Sequence, residues 1–232
     1  RSAVPSATAV GIAELEHMRT DALDWVGRGF RTLKLKIGLG PREDAQRVGA
    51  IREAVGPGVR LRVDANQGYR VAAAIEAGRR IAPYDIEYLE QPVPAWDVAG
   101  LAEVRRATGL RVAADESLYT PQDALRLIQE RAVDVFVIKM IKVGGLRKAT
   151  RIAHLAEAAG LSCVTVSPLE TALGTAAGAH WASALVNGEL DHELVGPLYL
   201  RDDPFAGVSL EGNAIVPGDS PGLGVHLQRE IF

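Results

Sequence analysis

Short apolar runs alternate with longer amphipathic stretches from residue 7 to about residue 195, and five of the runs stop on a charged side chain. The stops are Lys36 (in Leu33-Lys34-Leu35-Lys36), Asp64 (Leu61-Arg62-Val63-Asp64), Glu90 (Tyr88-Leu89-Glu90), Asp115 (Val112-Ala113-Ala114-Asp115) and Lys139 (Val137-Ile138-Lys139). They follow one another at intervals of 28, 26, 25 and 24 residues. Such an interval is about the length of one strand, one helix and two short loops, so it reads as a repeated βα unit. The runs predict strands over 7–12, up to Lys36, up to Asp64, and over 86–90, 111–115, 135–139, 161–166 and 190–194. Between them, apolar positions near helical spacing predict helices over 13–27, 42–55, 71–81, 98–108, 147–159 and 172–185, with a further one opening at Thr120-Pro121. Threonine before proline is a helix-start signal, and the glycines at Gly56 and Gly160 are stops. Eight such units make an α/β chain of the (β/α)8 barrel type. If every strand is parallel to the last, all five charged ends share the rim where such barrels keep their sites.

Composition narrows this picture without redirecting it. The 232 residues are 47% apolar and 24% charged, enough for one barrel with a large core. A formal charge of −3 gives no electrostatic reason to expect nucleic acid or an anionic membrane as partner. The single cysteine, Cys163, precludes a disulfide within the chain and suits a reducing compartment, so a cytoplasmic location is expected. No apolar run reaches the ~18 residues of a membrane span, and the opening residues carry no signal-peptide pattern. No nucleophile elbow, phosphate-binding loop or dinucleotide fingerprint occurs.

The charged ends carry the candidate chemistry. Asp64, Glu90 and Asp115 close three successive strands, and three carboxylates brought to one point cannot all stay ionised without a cation. All-oxygen ligation favours Mg2+, with Mn2+ as the alternative, over Zn2+. The bland rival is that each carboxylate caps the next helix, but caps are not confined to one rim at this period. Lys36 and Lys139 would flank the cluster if their strands sit across the barrel, where burial beside a cation tunes an amine for proton transfer. Lys34 shares a face with Lys36, since side chains two apart along a strand do. Lys142 is expected to be structural or a loop-surface charge. Glu170 and Glu193 could face the rim or be ordinary loop acids, and the five histidines form no metal-ligand or nucleophile–base spacing.

Taken together these segments resemble the enolase superfamily, in the muconate lactonizing subgroup of its mandelate racemase and muconate cycloisomerase family. The resemblance runs in order through Lys34-Leu35-Lys36-Ile37-Gly38, Val63-Asp64-Ala65-Asn66, Glu90-Gln91-Pro92, Ala114-Asp115-Glu116-Ser117, Ile138-Lys139-Met140 with Gly144-Gly145, Glu193-Leu194-Val195-Gly196-Pro197-Leu198 and Pro221-Gly222-Leu223-Gly224. It implies a modified (β/α)7β barrel over 1–200 and an isomerase that abstracts a proton α to a carboxylate. Asp64, Glu90 and Asp115 would hold Mg2+, and Lys36 and Lys139 would act on opposite faces of the substrate. Glu193 would lie near the enolate oxygen away from the metal, Lys34 near the substrate carboxylate, Asn66 near the metal, and Glu170 in the substrate pocket. The expected partners are a small carboxylate substrate and further copies of the chain in a homo-oligomer.

The chain also departs from the family pattern. An α+β capping domain of roughly a hundred residues is expected before the barrel and is absent from these 232 residues, and the tail 201–232 would pack towards it. Dipeptide epimerases of the subgroup carry an Asp-x-Asp where this chain reads Glu193-Leu194-Val195, which counts against a dipeptide substrate. The Glu-Leu-x-Gly-Pro-Leu run is more like the cycloisomerases, while Leu169-Glu170-Thr171 is similar to N-acylamino acid racemases and o-succinylbenzoate synthases. The reading is therefore a cycloisomerase or racemase, with dehydration of an acid sugar or an o-succinylbenzoate precursor, or an inactive barrel fragment, as the alternatives.

Overall fold

The computed structural model describes residues 3–167 and 169–228. Seven parallel strands lie side by side in chain order: β2 (Thr8–Val10), β3 (Thr32–Lys36), β4 (Arg60–Asp64), β5 (Ile86–Glu90), β6 (Val112–Ala114), β7 (Val135–Ile138) and β8 (Ser162–Thr165). A two-residue strand, β1 (Val4–Pro5), precedes them and belongs to another sheet. Helices α1 (Leu15–Gly27), α2 (Pro41–Val55), α3 (Val71–Ile81), α4 (Val98–Thr108), α5 (Pro121–Gln129), the single-turn α6 (Met140–Val143), α7 (Leu146–Ala158) and α8 (Ala172–Ala182) form the connections.

The eighth position of the barrel is not a regular strand. It consists of two isolated parallel bridges, Val166 to Glu193 on one side and Ser6 to His192 on the other. Ala7 donates its N–H to His192 O at 2.6 Å, and His192 donates to Pro5 O at 2.9 Å. Glu193 donates to Thr165 O at 2.9 Å, while Ser167 donates to Glu193 O at 2.8 Å. The expected strand over 190–194 is thus a two-residue seam that nevertheless closes the ring. The buried imidazole of His192 reinforces it by accepting the Thr165 N–H on Nδ1 at 3.1 Å.

Alternation along the strands sorts the core into two clusters, because successive side chains point to opposite faces. Leu33, Leu35, Leu61, Val63, Leu89, Phe136 and Ile138 face outward and pack with the helices. Tyr88, Ala113, Val135, Val137, Val164 and Val166 face inward and fill the barrel. The same rule sends Lys34, Lys36 and Asp64 inward. β4 and β5 shift register between the pairs Leu61–Ile86 and Val63–Leu89. That bulge brings Glu87 beside the wholly buried Arg62, whose Nε donates to Glu87 Oε2 at 2.5 Å and whose Nη1 donates to Asp191 O at 2.7 Å.

Helix starts follow the expected chemistry. Thr120 caps α5 by accepting the Asp123 N–H, Asp123 returns the bond to the Thr120 N–H, and Pro121 opens the helix. After the seam come α9 (Gly196–Tyr199), β9 (Phe205–Ala206), β10 (Val208–Glu211), β11 (Ala214–Pro217) and β12 (His226–Leu227). β11 pairs with both β10 and β1, and β9 pairs with β12, all antiparallel. Val4 and Ile215 bury themselves against Ala179, Ala182 and Leu194, so this part of the tail lies on α8 and on the start of the chain. Residues 1–2 of the expected barrel and 229–232 of the expected tail lie outside the described residues.

Candidate active site

Because β3 to β6 are parallel and nearly in register, Lys36, Asp64 and Glu90 stand level: Lys36 pairs with Asp64 across β3 and β4, and Asp64 pairs with Glu90 across β4 and β5. Asp115 follows β6, and Lys139 follows β7 as the residue before α6. β3 and β7 are four places apart in a ring of eight, so the two lysines approach from opposite walls.

The carboxylates are buried and each is turned towards an amine. Asp64 Oδ2 accepts from Lys36 Nζ at 2.6 Å and lies 3.5 Å from Lys34 Nζ. Asp115 is clasped twice, by Lys139 Nζ on Oδ2 and by Lys142 Nζ on Oδ1, both at 2.5 Å. Glu90, with no exposed surface, has among the described residues only Lys34, 3.5 Å from each of its oxygens. Among the described residues, no three acidic, histidine or cysteine side chains already stand as a metal cage. The three carboxylates stand at successive strand ends, with Asp64 and Glu90 sharing Lys34 and Asp115 held by Lys139 and Lys142.

The donor set nonetheless suits a hard divalent cation. Glu90 is a buried carboxylate with one long contact, and burial followed by the charge of Asp64 pushes its carboxyl well above the usual range, with Asp115 adding to the rise against the pull of Lys34. Burial opposes ionisation of Asp64, but Lys34 and Lys36 outweigh it and hold that group at about 2. Asp115 is likewise lowered, burial being overcome by Lys142 and Lys139. Glu90, the acid whose amine contact is longest, stands between two ionised acids, and an oxygen-only donor set of this kind matches Mg2+.

The amines divide by depth. Lys36 is 30% exposed, at the mouth, and its Nζ also donates to Asn66 Oδ1 at 2.7 Å. Lys139 is 19% exposed; burial disfavours its charge, yet Asp115 prevails and the shift is upward. Lys34, expected near a substrate carboxylate, is instead 2% exposed and lies one layer below, two residues down the strand from Lys36. Its Nζ is 2.7 Å from Glu193 Oε2, a close ion pair without the alignment of a directed hydrogen bond. Burial opposes the charge on Lys34, but Glu193, Glu90 and Asp64 together raise it far above its ordinary value. Lys142, expected to be structural or a loop-surface charge, takes the structural alternative. Its side chain is 8% exposed, and its Nζ also donates to the Asp115 carbonyl and stands over the Tyr119 ring at 5.4 Å. A lysine three residues after Lys139 reads as loop surface, and only the turn of α6 returns it to β6.

Asn66 sits at the rim with φ of 41°, taking its N–H to Asp64 Oδ1 at 2.9 Å and its Nδ2 to Glu116 Oε1 at 3.0 Å. Glu170 is half-buried beyond β8, and burial raises its carboxyl, with Ser167 and Lys139 pulling the other way. Arg62, which an alternating charge pattern reads as solvent-facing, stands level with Lys34 across β3 and β4 and holds its guanidinium 4.9 Å over Tyr88. The surface grooves on the helical shell, such as that lined by Arg42, Arg79, Arg80 and Tyr84, contain none of these residues.

The chain is similar over nearly its whole length to known proteins. The chain is 40% identical over 221 residues to the L-Ala-D/L-Glu epimerase of Bacillus subtilis (strain 168), covering 93% of this chain and 60% of the relative. It is 35% identical over 236 residues to muconate cycloisomerase 1 of Rhodococcus opacus, covering 99% and 62%. It superposes on the dipeptide epimerase of Cytophaga hutchinsonii complexed with Mg and D-Ala-L-Val with a TM-score of 0.94 at 34% identity, over 99% of this chain and 63% of that one. The chain thus spans about 60% of the length of the curated relatives it matches. Residues 17–231 match the family model described as enolase C-terminal domain-like, and the chain belongs to that family.

Proposed function

We propose that the protein to which this chain belongs is a Mg2+-dependent isomerase that abstracts a proton α to a carboxylate and returns it, as a racemase or epimerase. The observation that carries this reading is the pair Lys36 and Lys139, on opposite walls of the barrel, each within 2.6 Å of a carboxylate of the buried acidic row. Asp64, Glu90 and Asp115 would hold the metal. When bound, it supplies Lewis-acid stabilisation of the charge that develops on the substrate carboxylate.

The chain's own residues do the rest. Lys36, at the mouth and oriented by Asn66, takes or gives a proton on one face of the substrate carbon. Lys139, which Asp115 keeps charged, stands as the donor on the other face; in the reverse direction the roles exchange. Lys34 supplies a permanent positive charge below the acids and holds Glu193 in place. Glu170 completes the wall beyond β8. A cycloisomerase would need only one of the lysines as a base, so proton transfer on both faces is the feature that separates the two activities.

The substrate class follows from what faces the rim. Glu193 is engaged by Lys34, and Val195 is 2% exposed and apolar, so neither offers a free carboxylate to a substrate ammonium group. This favours an N-acylated amino acid over a free dipeptide. The test is α-proton exchange in deuterated buffer with Mg2+, using both enantiomers of N-succinyl amino acids, dipeptides and muconate as probes. Lys36→Ala should cut exchange of one enantiomer by about 10²–10⁴ and Lys139→Ala that of the other. Both enantiomers remaining at wild-type rates in Lys36→Ala would end the assignment. The cytoplasmic location and homo-oligomeric state remain part of the proposal; no helix among the described residues is long and apolar enough to cross a membrane.

A further inference from the structure

Asp44, on α2 and therefore in the outer layer of the barrel, has no exposed surface and no part in the acidic row. Its Oδ2 accepts the backbone N–H groups of Gly38, Leu39 and Gly40, each at 2.9 Å, and the hydroxyl of Tyr69 at 2.5 Å. Its Oδ1 accepts from Arg47 at 2.8 Å. The three amides belong to the turn that leaves β3 two residues after Lys36. Tyr69 closes the loop that leaves β4 after Asp64. One carboxylate therefore grips both rim loops at once.

The two loops are also fitted to each other. Gly38 has φ of +116°, and a Cβ there would stand 2.6 Å from Ala65 O; one on Gly68 would stand 2.5 Å from Gly38 O. Within the second loop, Asn66 and Gln67 both hold left-handed φ, 41° and 68°. Non-glycine residues keep such angles only where their surroundings over-determine them, and such strain tends to be placed at functional sites. Asn66 is the residue whose Oδ1 receives the Lys36 amine at 2.7 Å. A chain of contacts thus runs from Asp44 through Tyr69 and the 65–69 loop to Asn66, and ends on Lys36.

We propose that Asp44 is a positioning residue for Lys36, holding the 38–40 turn and the 65–69 loop together so that Asn66 aims the Lys36 amine at one face of the substrate. This rests on the reading of Lys36 as an acid/base. The rival role is a purely local cap, since an acid in the first turn of α2 also satisfies amides that precede the helix. A local cap would tie down the 38–40 turn alone. It would leave Lys139, whose contacts run to Asp115 on the far wall, no less affected than Lys36.

The test uses full-length enzyme with Asp44→Asn and, in case that variant folds poorly, Tyr69→Phe, which removes a single hydroxyl from the link. The probe is whichever N-succinyl amino acid or dipeptide the wild type exchanges in deuterated buffer, supplied as each enantiomer. Both variants should slow exchange for the enantiomer that Lys36→Ala abolishes, by about 10–10²-fold. KM should be nearly unchanged, and the enantiomer served by Lys139 should keep its rate. Equal losses on both faces, or no loss on either, would overturn the proposal. Backbone amide exchange supplies a readout independent of substrate: faster exchange in both 38–40 and 65–69 supports the double grip, and an unchanged 65–69 loop refutes it. A wild type that exchanges no probe at all would sink the functional reading, while the amide measurement still decides the role of Asp44.

Discussion

Removing Lys34 should expose how the buried acids are held in the absence of metal. Its Nζ contacts Glu193 at 2.7 Å and Asp64 and Glu90 at 3.5 Å, with side-chain exposures of 2%, 11%, 1% and 0% for Lys34, Glu193, Asp64 and Glu90. Lys34→Met keeps most of the volume and deletes the charge. Breaking a buried ion pair by removing one partner costs about 3–5 kcal/mol, because the charge left behind is neither solvated nor paired. Glu90 can shed part of that cost by taking up a proton, since its carboxyl already sits well above the usual range through burial and Asp64. The expectation is therefore the lower end, about 3 kcal/mol, or a fall of roughly 10 °C in melting temperature for a chain of this length. Thermal unfolding would be followed by circular dichroism in EDTA and again in millimolar Mg2+. A ligand that binds only the native state stabilises it in proportion to its affinity, and Mg2+ should raise the melting temperature more in Lys34→Met than in wild type. Added KCl should restore little, because buried charges are poorly screened. A metal-free variant melting within about 2 °C of wild type, or equal Mg2+ shifts in both, would refute the reasoning.

Three further outcomes follow from local geometry. Burial holds the His192 imidazole down to about 4, below its ordinary 6.5, and Arg62 adds to the effect. The unfolded chain therefore binds the proton first. Seam stability should be complete above about pH 6.5 and lost as pH falls through 4, a total of about 3 kcal/mol. Urea midpoints at several pH values should fall less steeply in His192→Asn; an identical slope would remove His192 as the cause. Gly38→Ala should destabilise by about 2 kcal/mol or more, because the added methyl meets Ala65 O at 2.6 Å in a positive-φ backbone. Gly58→Ala, with nothing within 4 Å, is the matched control, and equal melting temperatures for the pair would contradict the close fit of the two rim loops. Thr120→Ala deletes the cap of α5 and should cost about 1 kcal/mol by chemical denaturation, with catalysis unaffected.

Much of the barrel was legible because its rules are local. Alternation in Leu33-Lys34-Leu35-Lys36 already separates the leucines that pack on helices from the lysines that point inward, and the structure keeps that division. The 24–28-residue interval places Asp64, Glu90 and Asp115 at successive strand ends. Boundaries were less legible where a strand end becomes something else. β6 and β7 stop one residue before Asp115 and Lys139, because those residues already serve the rim loops and α6. The segment 190–194 reads as a strand but supplies only two bridges, since the seam needs no more than His192 and Glu193 to join Ser6 and Val166.

What the sequence determined by itself was the repeat, the rim and the kinds of side chain delivered to it, since period-two alternation and unit length are properties of neighbours along the chain. Only the tertiary structure decided which amine meets which acid. It drew Lys142 back to Asp115, sank Lys34 beneath the acids, set Arg62 against the Asp191 carbonyl 129 residues away and made Asp44 the clamp of two loops. Those pairings depend on barrel closure and on a register shift between β4 and β5, and such long-range geometry leaves no periodic trace in the residues that create it.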